Sequence, residues 1–252
     1  MKLFQRIFFA AVLAGLAAGL AMSAIQQWRV APLILAAETF ENAGESAEAH
    51  THEAAVPAHA HDTATPAHEH DAEAWAPQDG AERVFYTVLA NVLGSIGFAM
   101  LLAAVSVLAG LEITARNGVI WGLGGFLALQ LAPAFGLPPE LPGMPAADLG
   151  ARQTWWVATA VATGAGLLAI AKLRNWTGIV IAAVLILAPH MVGAPQVSGG
   201  HASAVPAHLA TAFAANSLFA GAVFWLIAGP LLGWLSERFA RLPAFALKGA
   251  HA

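Results

Sequence analysis

Six of the ten histidines in this chain of 252 residues fall in one short stretch, residues 50–71. They form three His-x-His pairs, His50/His52, His59/His61 and His68/His70, which recur every nine residues. An acid follows the second histidine each time: Glu53, Asp62 and Asp71. Imidazole and carboxylate together are ligands for borderline divalent metals such as cobalt, nickel, zinc and copper. Binding needs neutral imidazole, so capture weakens as pH drops through the ordinary histidine pKa near ~6.5. The repeat is rich in Ala and Pro and cannot bury a core, so it reads as a disordered tether. An expression tag or a neutral linker is the bland alternative. A tag would be consecutive histidines at a terminus, whereas these are internal and interleaved with acids. A loose, rapidly exchanging site suits an antenna that concentrates ions; nothing preorganises it for selectivity or catalysis.

A second set is sparser. The run Pro189-His190-Met191-Val192-Gly193-Ala194-Pro195 puts a histidine at the end of an apolar span. Ionisable groups at that depth are costly and usually face a cavity. Pro189 has no N–H, which frees a carbonyl one turn back. His201 and His208 follow on the same side, and Met191 and Asn216 are further ligand candidates. The alternative is a histidine bonded to a helix end beside two surface histidines. A third set lies in residues 138–152, where Pro138, Pro139, Pro142 and Pro145 make a stiff loop bearing Glu140 and Asp148 before Arg152, Trp155 and Trp156. The acids are candidate cation ligands or partners of Arg152. The tryptophans suit a membrane interface.

The elements that position these residues follow from composition. Hydrophobic residues make up 58% and charged ones 10%, far from the roughly 25% charge of soluble domains, which places the chain in a bilayer. Six apolar spans are visible: Ile7–Trp28, Val84–Leu111, residues 118–137, Gln153–Ala171, residues 176–194, and a stretch within Leu209–Ser236. Each is near the ~20 residues that cross a bilayer core, and only helices satisfy their own backbone there. The fold class is therefore all-α and polytopic, with six transmembrane helices. Pro32 is expected to kink or end the first. MKLFQR followed by an apolar run also resembles a signal peptide, so cleavage is the alternative for span one. Gly15-x-x-x-Gly19 and Gly118-x-x-x-Gly122 read as close helix contacts or as ordinary small-residue content.

With the N-terminus inside, eight of eleven Lys and Arg face the cytoplasm, as the positive-inside rule requires, and thirteen of fifteen acids face outward. Both termini are then cytoplasmic, in a bacterial inner membrane. The outer side carries residues 38–83, the Pro-rich loop and the 195–208 histidine loop. Glu38 opens the first of these, and a basic tail closes residues 209–252. The polar residues inside the spans are few: Gln26, Gln27, Asn91, Ser95, Gln130, Thr159, Thr163, Asn216 and Ser217. They either bond between helices or line a cation path.

Several classes have no support. Cysteine is absent, which removes disulfides, thiolate metal sites and covalent c-type haem. No P-loop, Gly-x-Ser-x-Gly or His-Glu-x-x-His motif is present, so an enzyme is not expected. No basic patch suggests nucleic acid.

Over most of its length the chain resembles the CbtA family. The residues that carry the likeness are Gln26-Gln27, Pro32 and Ala37-Glu38; Arg116-Asn117-Gly118, Trp121-Gly122 and Gly125-Phe126; Ala132-Pro133 and Gly136-Leu-Pro-Pro-Glu-Leu-Pro-Gly143; Arg152-Gln153-x-Trp155-Trp156; Pro189-His190-x-x-Gly193-Ala194-Pro195; and Phe224-Trp225. The resemblance implies a multi-span subunit that supplies cobalt for cobalamin synthesis beside a small His-bearing membrane partner, CbtB. It offers Glu38, Glu140, Arg152 and His190 as site candidates. The expectation is uptake of a divalent ion, cobalt before nickel, zinc or copper, without ATP hydrolysis by this chain. Its contacts would be the metal ion as substrate, membrane lipid and the CbtB-like partner. The rivals are a non-transporting metal-binding or sensing module, and a haem electron carrier with His190 and His208 as axial ligands.

Overall fold

A computed structural model describes residues 3–40, 77–197 and 203–241. The three His-x-His pairs, their acids and His201 lie outside the described residues. Within them the chain forms six helices and no strand: α1 (Leu3–Phe40), α2 (Ala81–Ala109), α3 (Gly118–Gly136), α4 (Leu149–Leu173), α5 (Trp176–Val192) and α6 (Ala207–Ala240). Five are long and apolar enough to cross a membrane. The 17 residues of α5 span only about 25 Å at 1.5 Å per residue, slightly under a ~30 Å core. The protein is a multi-pass membrane protein.

Neighbouring helices run in the order α2, α1, α6, α3, α4, α5. Membrane helices gain little from apolar burial and instead need close van der Waals contact, which small residues permit. Ala10, Ala11, Ala14 and Ala18 of α1 are fully buried against α2 and α6, with Phe224, Trp225 and Leu232 filling the centre. Both small-x-x-x-small motifs prove to be helix crossings. A Cβ on Gly15 would come within 2.5 Å of the Ile96 Cα on α2. A Cβ on Gly118 would come within 2.5 Å of the Pro230 Cα on α6, and one on Gly122 would strike the Trp225 carbonyl.

Pro32 does not end the first helix, which continues to Phe40. The reason is a π-helical turn over Gln26–Val30, in which the Ala31 N–H reaches back five residues to the Gln26 carbonyl. In an α-helix the proline ring collides with the carbonyl four residues back; the wider turn relieves that collision. The same device recurs in α3. Leu127–Leu131 is π-helical, Ala132 donates to the Leu127 carbonyl, and Pro133 follows. Both turns thus lead into an Ala-Pro pair, Ala31-Pro32 and Ala132-Pro133.

One face gathers the ends of α1, α3 and α5 and the starts of α2, α4 and α6. Ala37, Leu141 and Val205 form a small buried cluster there, which seats the Pro-rich loop on α1 and α6. On the opposite face α4 and α5 are joined by a tight turn. Arg174 adopts a left-handed conformation and the Asn175 side chain accepts the Gly178 N–H at 3.0 Å.

Candidate functional site

The loop-bearing face is held by charge pairs and caps. Arg83 at the start of α2 pairs with Glu38 at the end of α1 and with Asp79 at 3.1 Å. The Asp148 carboxylate caps α4 by accepting the Ala151 N–H at 2.8 Å. Glu140 accepts from Arg152 Nη2 at 2.6 Å, and both side chains are about one-quarter exposed. Of the two roles open to Glu140 and Asp148, each has a structural partner: an arginine for one, a helix terminus for the other.

His190 does not stand free. Its ring lies edge-on to Trp155, with centroids 5.7 Å apart, and to Phe135 at 5.6 Å. Trp155 donates its indole N–H to the Pro189 carbonyl at 3.1 Å, and the Gly193 N–H reaches the same oxygen. Gly193 then closes α5 at φ 87°, a conformation glycine adopts without strain. His208 is exposed in the first turn of α6. Asn216 donates to the Ala212 carbonyl of its own helix at 2.8 Å. Among the described residues no three His, Asp or Glu side chains come together as a metal set.

The structure brings together a different set. A cavity of about 670 Å³ opens on the loop face, with Pro138, Pro139, Glu140, Arg152 and Gln153 at its mouth. Gln26, Leu129, Gln130, Trp156 and Ser217 line it further in. The Gln26 amide oxygen accepts from Asn91 Nδ2 at 2.6 Å, and Asn91 also reaches Ser23 Oγ at 3.2 Å, so α1 and α2 are tied here. Gln130 lies over Gly221 of α6, so closely that a Cβ there would strike its amide. Its oxygen is buried without a hydrogen-bond partner. In the sequence Gln26, Gln130 and Ser217 stand out only as sparse polar residues. The added signal is that each glutamine sits in the turn before an Ala-Pro pair.

A second, mostly apolar cavity of about 910 Å³ lies between α2, α3 and α4 on the opposite half. Leu129, Trp156 and Val157 border both cavities, and Glu112, Asn117 and Arg174 mark its far end. A vestibule of mixed polarity and an apolar crevice therefore sit back to back along α3 and α4.

No curated protein and no solved structure matches the chain. The family described as "Probable cobalt transporter subunit (CbtA)" matches residues 4–237, nearly the whole length. The extent of that match makes this chain a member of the CbtA family of cobalt transporter subunits.

Proposed function

We propose that this chain is the ion-conducting membrane subunit of a cobalt uptake system, carrying the divalent ion from the loop-bearing face inward. The observation that supports this is the pair of cavities meeting at Leu129, Trp156 and Val157. The excess of Lys and Arg on the other face supports an orientation with the loop face outside an inner membrane and both termini cytoplasmic. Membrane potential then favours inward movement of a divalent cation by roughly 4.6 kcal/mol per 100 mV, twice the value per unit charge. That corresponds to a concentration ratio above about a thousandfold, so no ATP hydrolysis by this chain is required.

In this reading the His-x-His loop collects ions, with Asp62 and Asp71 as added ligands. The Glu140–Arg152 pair stands at the vestibule mouth. Trp156 shapes the wall below it, and Trp155 ties α4 to the end of α5 beside it. A small His-bearing membrane partner completes the system on the family's pattern. The test is cobalt uptake into liposomes holding the purified full chain, alone and with its partner, under an imposed potential. Potential-dependent accumulation is expected. Stoichiometric binding without accumulation, in both preparations, would establish a non-transporting metal module instead.

A further inference from the structure

The π turn of α3 takes the usual i+4 donor from two carbonyls. In a regular helix the Ala128 and Leu129 carbonyls accept from residues 132 and 133. Here the Ala132 N–H goes to Leu127, and residue 133 is a proline with no N–H. The next side chain, Gln130, carries an amide oxygen that is buried and unpartnered. Leaving such an oxygen unsatisfied is unfavourable, because it has lost water without gaining a donor. Of the buried, partnerless polar atoms among the described residues, it is the one whose residue lines the vestibule. Gly221 leaves room for that amide against α6, and Ser217 lies one turn away on the same helix face and lines the same space. Rotation about the last torsion of a glutamine is soft, so its oxygen can swing into the cavity. π turns of this kind occur often at functional sites.

We propose that the α3 π turn and the facing Ser217–Gly221 segment form an internal site for a partly hydrated divalent cation. Its ligands are Gln130 Oε1, the Leu129 carbonyl and Ser217 Oγ. The site rests on the reading of the vestibule as an ion path. All three donors are neutral, hard oxygens, which suit an ion that keeps several waters rather than one held tightly. Weak binding is what conduction needs, since the ion must leave again. The loop histidines, by contrast, are nitrogen donors and collect without discriminating. Gln26, its oxygen already used by Asn91, belongs to the wall and not to the ligand set.

The test uses the full chain in nanodiscs, with His50, His52, His59, His61, His68 and His70 replaced by alanine to silence the loop. Cobalt binding is measured by equilibrium dialysis. A saturable site is expected, weakened roughly tenfold or more by Gln130→Leu and retained by Gln130→Glu, which keeps an oxygen donor. Gly221→Ala, whose Cβ displaces the Gln130 amide, should weaken it too and serves if the leucine variant does not fold. Equal binding by the parent and both weakening variants, or no saturable binding by the parent, overturns the site. Uptake by the wild-type chain is measured in parallel. If uptake persists while binding ignores Gln130, only the internal site falls; if uptake is absent both with and without the partner, the transport reading falls whatever the dialysis shows.

Discussion

Trp155 and Pro189 are joined by a 3.1 Å hydrogen bond from the indole N–H to the proline carbonyl. This fixes the start of α4 to the end of α5. Gly136, at the end of α3, is in turn so close that a Cβ there would strike Trp155 and Ala194. Much of Pro189-His190-x-x-Gly193-Ala194 is thereby accounted for as a knot between three helix ends.

His190 sits in that knot, so its packing and any role as a ligand must be separated. His190→Phe keeps the edge-on contacts with Trp155 and Phe135 and removes both nitrogens. We expect it to preserve thermal stability while uptake falls at every cobalt concentration, as for His190→Ala. Restored uptake in the phenylalanine variant would make His190 a packing residue only. Trp155→Ala, which removes a large buried ring and the bond to Pro189, should cost about 3–5 kcal/mol. The readout is the temperature at which the detergent-solubilised protein loses its monodisperse chromatographic peak.

The α3–α6 crossing makes a sharper stability prediction. Gly122→Ala drives a Cβ into the Trp225 carbonyl, and Gly229→Ala drives one into the Gly118 carbonyl and the Gly122 backbone. Backbone cannot move aside as a side-chain tip can, so overpacking of about 1–3 kcal/mol or more is expected. Gly94→Ala and Gly97→Ala on α2 meet nothing within 4 Å and should leave the melting temperature unchanged or slightly raised. Equal behaviour of the two pairs would mean that the α3–α6 contact is looser than described.

Glu140 and Arg152 guard the vestibule as a pair, and an arriving cation must compete with the guanidinium for the carboxylate. Glu140→Gln is expected to raise the KM for cobalt uptake by roughly tenfold, since a charge-assisted contact is lost. Arg152→Gln frees the carboxylate and should lower KM, while slowing release and reducing the maximal rate. An Arg152→Gln variant whose KM rises in step with Glu140→Gln would assign the pair to loop anchoring alone.

Much of the architecture was legible because the bilayer admits few alternatives. Six apolar runs predict six helices, and the Gly-x-x-x-Gly spacings fall where helices cross. What escaped was the course of the chain through Pro32 and the identity of the inner cavity. A proline is ordinarily a helix end, and nothing local announces that a π turn will carry the helix past it. The mouth of the vestibule draws on the Pro-rich and Arg152-Gln153 motifs, but its inner wall is assembled from scattered residues of α1, α3 and α6, such as Gln26, Gln130 and Ser217, none forming a motif in the sequence. Histidine count marks residues 50–71, and the Pro-rich motif marks Glu140. Gln130 has no such flag, because an amide in an apolar span commonly bonds to a neighbouring helix, and its lack of a partner is visible only once the helices are packed.

The loop and the vestibule should separate by concentration and by pH. An antenna raises the local ion concentration at the mouth without altering the path behind it. Deleting residues 49–71 should therefore lower uptake when cobalt is scarce and leave the maximal rate intact, whereas Gln130→Leu and His190→Ala lower uptake across the whole range. The antenna depends on neutral imidazole. Its histidines bind protons as pH falls through about 6.5, so the ions they hold are released below that value. The difference between wild type and the loop deletion should be full above pH 7.5 and vanish near pH 5. The proposed Gln130, Leu129 and Ser217 ligand oxygens do not titrate there and far fewer histidines remain, so the loop-deleted chain should show a shallower pH profile. Uptake measured at two cobalt concentrations across that range decides the matter. A loop deletion that lowers the maximal rate at saturating cobalt would place the histidines in the path itself and end the antenna reading.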